Sequence, residues 1–256
     1  MTSVIVRNVV IGEGVPKICV PIVGETKEQI IEEAGVVREL PADIVEWRAD
    51  WFESVFDIEK TLDVLKCIRD VLGEIPLLFT FRTMKEGGEK EIEPEKYIEL
   101  NRFAAKSDLV DLIDVEVFTG DEIVKGLVGT AHVCGVKVIG SNHDFHRTPE
   151  KDEIVGRFRK MQELGVDILK IAVMPKNKRD VLTLLSATEE MTRLHADRPV
   201  ITMSMSGDGV ISRICGEAFG SALTFGAAGK ASAPGQIEVR KLKKVLSILH
   251  ESTKCG

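Results

Sequence analysis

Eight short runs rich in β-branched residues alternate with segments of helical period, and this alternation constrains the fold more than any other feature of the chain. The runs are Lys17–Val23, Ile44–Asp50, Leu77–Arg82, Leu109–Val117, Lys137–Asp144, Ile168–Val173, Val200–Met205 and Ala222–Phe225. Apolar residues recur at helical spacing in Ile58–Leu72, Pro94–Ala105, Pro149–Leu164, Lys178–Leu194 and Ile237–His250. Strand followed by helix, repeated in this way, predicts a closed parallel (β/α)8 barrel. A doubly wound sheet is the alternative, but it would normally carry a phosphate-binding glycine fingerprint, and neither GxGxxG nor a Walker loop occurs. Thr148-Pro149 suits a helix start, since threonine can cap and proline fits the first turn. Ahead of the first run, Val4–Val10 and a turn at Gly12–Gly14 read as a hairpin that closes the N-terminal mouth of the barrel. With 256 residues and no repeat, linker or low-complexity stretch, the chain is read as a single domain, 1–256.

Composition narrows the partners. Acidic and basic residues are interspersed, the net charge is −7, and no basic block or basic aromatic stripe appears, which argues against nucleic acid. The N-terminal stretch alternates apolar and polar residues and does not resemble a signal peptide, and no apolar stretch is long enough for a membrane. Five scattered cysteines (Cys19, Cys67, Cys134, Cys215, Cys255) form no CxxC spacing, and most read as small core residues in a reduced compartment. A soluble cytoplasmic protein is expected.

Barrel strands should be nearly all apolar, because one face meets helices and the other a packed interior. Several of these runs break that rule near their C-terminal ends, where barrel enzymes keep their chemistry. Glu46, Arg48 and Asp50 share one face of the second strand; Arg82 ends the third, with Glu86 just beyond it. Asp114 and Glu116 share a face of the fourth, His143 ends the fifth, and Lys170 lies within the sixth. A carboxylate beside an arginine, such as Glu46 with Arg48, reads equally well as a buried ion pair that merely persists. A lysine in an apolar strand is harder to explain that way. Without a partner, a buried ammonium tends to lose its proton, and the resulting neutral amine can attack a ketone. The rival is a magnesium site on Glu46, Asp114 and Glu116, although Arg48 and Arg82 at the same mouth would repel a cation. No paired-histidine spacing suggests zinc.

These residues, in this order, resemble the type I 3-dehydroquinate dehydratases. The resemblance runs through Glu46-Trp47-Arg48, Leu77–Glu89, Ser141–Pro149, Leu169–Pro175, Ile201–Gly226 and Ala231–Ile237. It implies a Schiff-base lysine at Lys170, a general acid/base at His143 and an orienting carboxylate at Glu86. It further implies that Arg213 pairs with the substrate carboxylate, and that Glu46, Arg48 and Arg82 line the site. Ser232 and Gln236, after the eighth strand, would close over the substrate, 3-dehydroquinate. The family is cofactor-free and usually homodimeric. Some relatives carry serine where this chain has Pro21 and proline where it has Leu169, neighbours that affect packing near the site. Two other classes stay open at this stage: a Schiff-base class I aldolase of a small sugar acid, and a non-catalytic sugar-acid-binding barrel.

Overall fold

A computed structural model describes residues 2–229 and 233–253. Eight parallel strands follow one another round a curled sheet: β3 (Lys17–Ile22), β4 (Ile44–Arg48), β5 (Leu77–Thr80), β6 (Leu112–Glu116), β7 (Lys137–Asp144), β8 (Ile168–Val173), β9 (Val200–Ser204) and β10 (Leu223–Ala227). β10 pairs with β3, while β9 and β10 meet through a bridge between Val200 and Ser221 and a 2.8 Å bond from the Ala222 N–H to the Val200 carbonyl. The barrel therefore closes, most thinly at β9–β10. The helices between the strands are α1 (Lys27–Arg38), α2 (Ile58–Leu72), α3 (Pro94–Lys106), α4 (Asp121–Val133), α5 (Lys151–Glu163) and α6 (Lys178–Glu190). Two short helices, α7 (Val210–Ile214) and α8 (Gly216–Phe219), precede β10; a two-residue strand, β11 (Ile237–Glu238), pairs with β10 and leads into α9 (Val239–Thr253). Local sequence sets the helix starts: Thr26 and Gln29 form a capping box on α1, and Asp57 and Asn177 accept backbone N–H groups at α2 and α6.

The side-chain period of two sorts the barrel interior into layers. At the bottom Cys19, Ile44, Leu78, Leu112, Ile139, Ile168, Ile201 and Leu223 each come from a different strand and form one buried apolar layer. Val6 and Ile11 of the hairpin β1 (Val4–Val6) and β2 (Val9–Ile11) seal it from below, as the sequence predicts. Two residues further along the strands come Glu46, Thr80, Asp114, Ser141, Lys170, Met203 and Phe225, and above these stand Arg48, Arg82, Glu116, His143, Ala172 and Met205. The fold thus converts the polar spots near the ends of β4 to β8 into a floor and a wall.

Several local expectations need correction. The hairpin reverses at Arg7-Asn8, with Arg7 at φ 50°, and not at Gly12–Gly14, which lead from the hairpin into β3. Pairing Val6 with Val9 points Val6 and Ile11 together into the barrel, which outweighs the strain at Arg7. Helix α5 starts at Lys151, because the Thr148 hydroxyl is spent on the Met174 carbonyl at 3.1 Å, tying its loop to the end of β8. Ile237 belongs to β11 and not to the final helix. Of the four described cysteines only Cys19 is buried.

Candidate active site

Lys170 rises from β8 and is 3% exposed, but it is not the unpartnered amine that the sequence suggests. Its Nζ lies 3.0 Å from Asp114 Oδ2, 4.0 Å from Glu46 Oε1 and 4.7 Å from the centre of the Phe225 ring. An ammonium is thus held from β6, β4 and β10 at once. Asp114 also meets Arg82 Nη2 at 2.8 Å and accepts the Ser141 hydroxyl. Burial alone would raise the Asp114 carboxyl, but Arg82, Lys170 and Ser141 more than offset it and hold it down at about 2.

Arg82 is the hub of the wall. Its Nη1 donates to Glu116 Oε1 at 2.9 Å and to Ser141 Oγ at 3.0 Å, and lies 3.7 Å from Glu86 Oε2. Glu116 in turn accepts from the Thr83 N–H and hydroxyl. Asp114 and Glu116, read from sequence as possible metal ligands, therefore each already face a guanidinium. Replacing Arg82 with Met should leave buried Glu116 without its cation and buried Asp114 with Lys170 alone. We expect a loss of ~3–5 kcal/mol in stability, read as a lower denaturant midpoint. An unchanged midpoint would show that Arg82 is not the hub.

Glu46 and Arg48 share a face but do not pair. Arg48 Nε and Nη2 donate to Asp50 Oδ1 and Oδ2 at 2.8 and 2.7 Å, while Glu46 accepts the Thr80 hydroxyl at 2.9 Å. The short helical turn Ala49–Trp51 swings Asp50 back over Arg48, a geometry that an extended strand hides. Asp50 also accepts the N–H groups of Arg82 and Glu89, and so pins both ends of the loop that carries Glu86.

His143 lies near the end of β7 with its Nδ1 2.9 Å from Glu86 Oε2; the same oxygen accepts the His143 N–H at 2.9 Å. Burial first, then the charges of Arg82, Lys170 and Arg48, hold this imidazole well below its usual range, so it is a neutral base at pH 7. Burial and Glu116 push the Glu86 carboxyl up to about 8, against Arg82. A carboxyl so placed can share the Nδ1 proton, so the ring can gain and lose one without stranding a charge.

Arg213, on α7, is 1% exposed and has no carboxylate partner among the described residues. Its Nη2 donates to the Pro234 carbonyl at 2.9 Å, its Nε has no hydrogen-bond partner, and burial lowers the guanidinium to about 10. Glu46, Arg48, Arg82, Glu86, His143, Lys170, Arg213 and Gln236 all line one pocket, with Ala172, Met203, Met205 and Phe225 as its apolar wall. Eight of the nine site residues expected from sequence thus come together; the ninth, Ser232, lies outside the described residues. The sequence reading missed Ser141 and Asn142 as site partners, although both sit in the quoted Ser141–Pro149 block beside His143.

A buried cation without an anion, a lysine and a neutral histidine in one pocket call for a small carboxylic acid bearing a carbonyl. A model of the type I 3-dehydroquinase family matches residues 18–253. The chain belongs to this family. It is 58% identical over 247 residues to the 3-dehydroquinate dehydratase of Clostridioides difficile, covering 96% of this chain and 97% of that one. To the Salmonella typhimurium 3-dehydroquinate dehydratase it is 58% identical over 252 residues, covering 98% and 100%. A crystal structure of the Clostridium difficile type I enzyme with covalently modified comenic acid overlays at a TM-score of 0.96, with 57% identity over 98% of this chain and 99% of that one. The 3-dehydroquinate dehydratase of Geobacillus kaustophilus overlays at 0.94, with 40% identity over 98% and 97%. As a type I 3-dehydroquinase the chain is a hydro-lyase of the shikimate pathway, removing water from 3-dehydroquinate. The aldolase and binding-protein readings fall away.

Proposed function

We propose that this type I 3-dehydroquinase works through a Schiff base on Lys170, with His143 as the one proton carrier for a syn elimination. The observation that carries the reading is the convergence of three groups on one pocket: a lysine, a neutral histidine backed by a carboxylate, and an arginine lacking an acidic partner. The comenic acid held covalently by the Clostridium difficile relative is in keeping with such a nucleophile.

The ketone is a poor sink for the electrons of the neighbouring C–H bond. Lys170 first sheds its ammonium proton, and neutral His143 is the group able to take it. The amine then attacks the carbonyl carbon; the oxygen takes one proton from the amine nitrogen and one back from His143 and leaves as water, giving an iminium, a stronger sink, and a neutral His143. His143 removes the adjacent proton, and its electron pair moves into a C–C double bond, forming an enamine. The enamine expels the β-hydroxyl, which leaves with the proton that His143 has just acquired. Water returns to the iminium carbon, releasing the enone and the Lys170 amine, so one water is lost overall. Glu86 holds the imidazole so that its Nε2 is left for the substrate.

Arg213 binds the substrate carboxylate, supplying the anion that the protein does not. Glu46, Arg48 and Gln236 bind hydroxyls, with Ser232 as the resemblance implies, and Phe225 and Met203 pack the ring. Arg82 acts through Asp114 and Glu116. We further propose a single-domain, cytoplasmic enzyme that works as a homodimer without a cofactor. The Arg213→Ala variant tests the binding frame. Losing charge-assisted bonds of ~1.5–3 kcal/mol should raise KM ~10- to 100-fold, while borohydride still traps the Lys170 adduct at saturating substrate. An unchanged KM would remove Arg213 from the substrate's carboxylate.

A further inference from the structure

Behind the acid–base pair a second polar chain runs outward from Glu86. Asn142 follows Ser141 and precedes His143 on β7, so its side chain takes the opposite, helix-facing side of the strand. Its Nδ2 donates to Glu86 Oε1 at 3.0 Å, and its Oδ1 accepts from Arg157 Nη1 of α5 at 2.7 Å. The amide has only one workable orientation here. Arginine can only donate, so it claims the Asn142 oxygen and turns the NH2 toward the carboxylate. Arg157 is itself anchored by Glu153, with Asp144 at 3.8 Å, and lies 5.7 Å from the Phe118 ring.

The position of this chain gives it work to do. Glu86, Asn142 and His143 also line a second cavity, walled by Met84, Tyr97 and Phe118. A free Glu86 Oε1 there would take water or rotate, and with it would go the fixed bond from Oε2 to the imidazole. The charged groups facing Glu86 are Arg82 at 3.7 Å, His143 at 2.9 Å and Glu116, which acts on it electrostatically; none of them reaches Oε1 among the described bonds. We propose that Asn142 and Arg157 are positioning residues that lock Glu86, and through it His143, in the proton-transferring geometry.

The proposal rests on His143 being the acid–base group, and the two ideas fail differently. In Asn142→Leu, kcat should fall ~10-fold with KM within about twofold, since a buried acceptor loses its donor. The acid limb of kcat/KM should move, and the Lys170 adduct should still form. Arg157→Met should fall in the same sense but less, and Arg157→Lys should recover part of the loss. Because Arg157 acts only through Asn142, the double variant should match Asn142→Leu alone. Multiplying effects would overturn the series arrangement. Unchanged kcat and pH profile in both single variants, while His143→Ala remains crippled, would overturn the network but not the acid–base reading. Normal turnover in His143→Ala would overturn both. If Asn142→Leu does not fold, Arg157→Met alone decides by the same kcat and pH criteria.

Discussion

Lys170→Ala should have no detectable turnover, and borohydride added with substrate should leave no adduct on it. In the parent enzyme the same treatment should add to Lys170, and to no other lysine, the mass of the substrate or product less one oxygen atom, since the imine loses water and then gains two hydrogens. The argument rests on electron demand. Removing a proton beside a plain ketone needs a sink, and among the pocket residues only Lys170 can make an iminium there. Neighbours cannot substitute, since Arg48, Arg82 and Arg213 stay protonated and do not condense with ketones. Lys170→Arg should be as inactive as the alanine variant, although it keeps a cation beside Asp114 and Glu46. That comparison separates chemistry from charge balance: activity in the arginine variant would mean that Lys170 only supplies a positive charge. An adduct on a different lysine would remove the Schiff base from this strand.

Much of this site is legible in the sequence, because strand period and polarity are written locally. Glu46, Arg48, Asp114, His143 and Lys170 stand out as polar residues at the ends of strands that should be apolar. Strand succession then gathers them at one mouth. Pairing was not legible. Whether Arg48 turns to Glu46 or Asp50 depends on a single helical turn after β4. That Lys170 meets Asp114 depends on how β6 and β8 are staggered round the barrel, with β7 between them. Glu46, Asp114 and Glu116, which read as a metal site in one dimension, become, in three, the counter-charges for Arg82 and Lys170. The same limit explains the hairpin. Two glycines suggest a turn, but the reversal went where Val6 and Ile11 could both reach the bottom layer. Asn142 escaped notice for the opposite reason, because it points away from the pocket and touches the chemistry only through Glu86.

His143→Ala should separate proton transfer from imine formation. Its turnover should fall by ~10²–10⁴, the range that a positioned acid–base group contributes. Borohydride should still capture substrate on Lys170, more slowly, because solvent can replace His143 as proton acceptor for one step but not as the carrier that serves both later ones. Lys170→Ala, by contrast, loses turnover and adduct together. The parent's pH profile offers a second reading of the same residue. Burial and the charges of Arg82, Lys170 and Arg48 depress the His143 imidazole, so its neutral form persists as pH falls through the ordinary imidazole range. Base catalysis is lost only when pH drops through that depressed value, so the acid limb of kcat/KM should lie below about 6.5. Replacing Arg48 with Met removes one of those cations while keeping length, and should shift the limb upward, since less positive charge opposes protonation. A limb that stays put or moves down would mean that it does not report a group facing Arg48, and so not His143. Normal turnover in His143→Ala would end the single-carrier mechanism outright, because no other described side chain in the Lys170 pocket combines a neutral basic nitrogen with a carboxylate behind it.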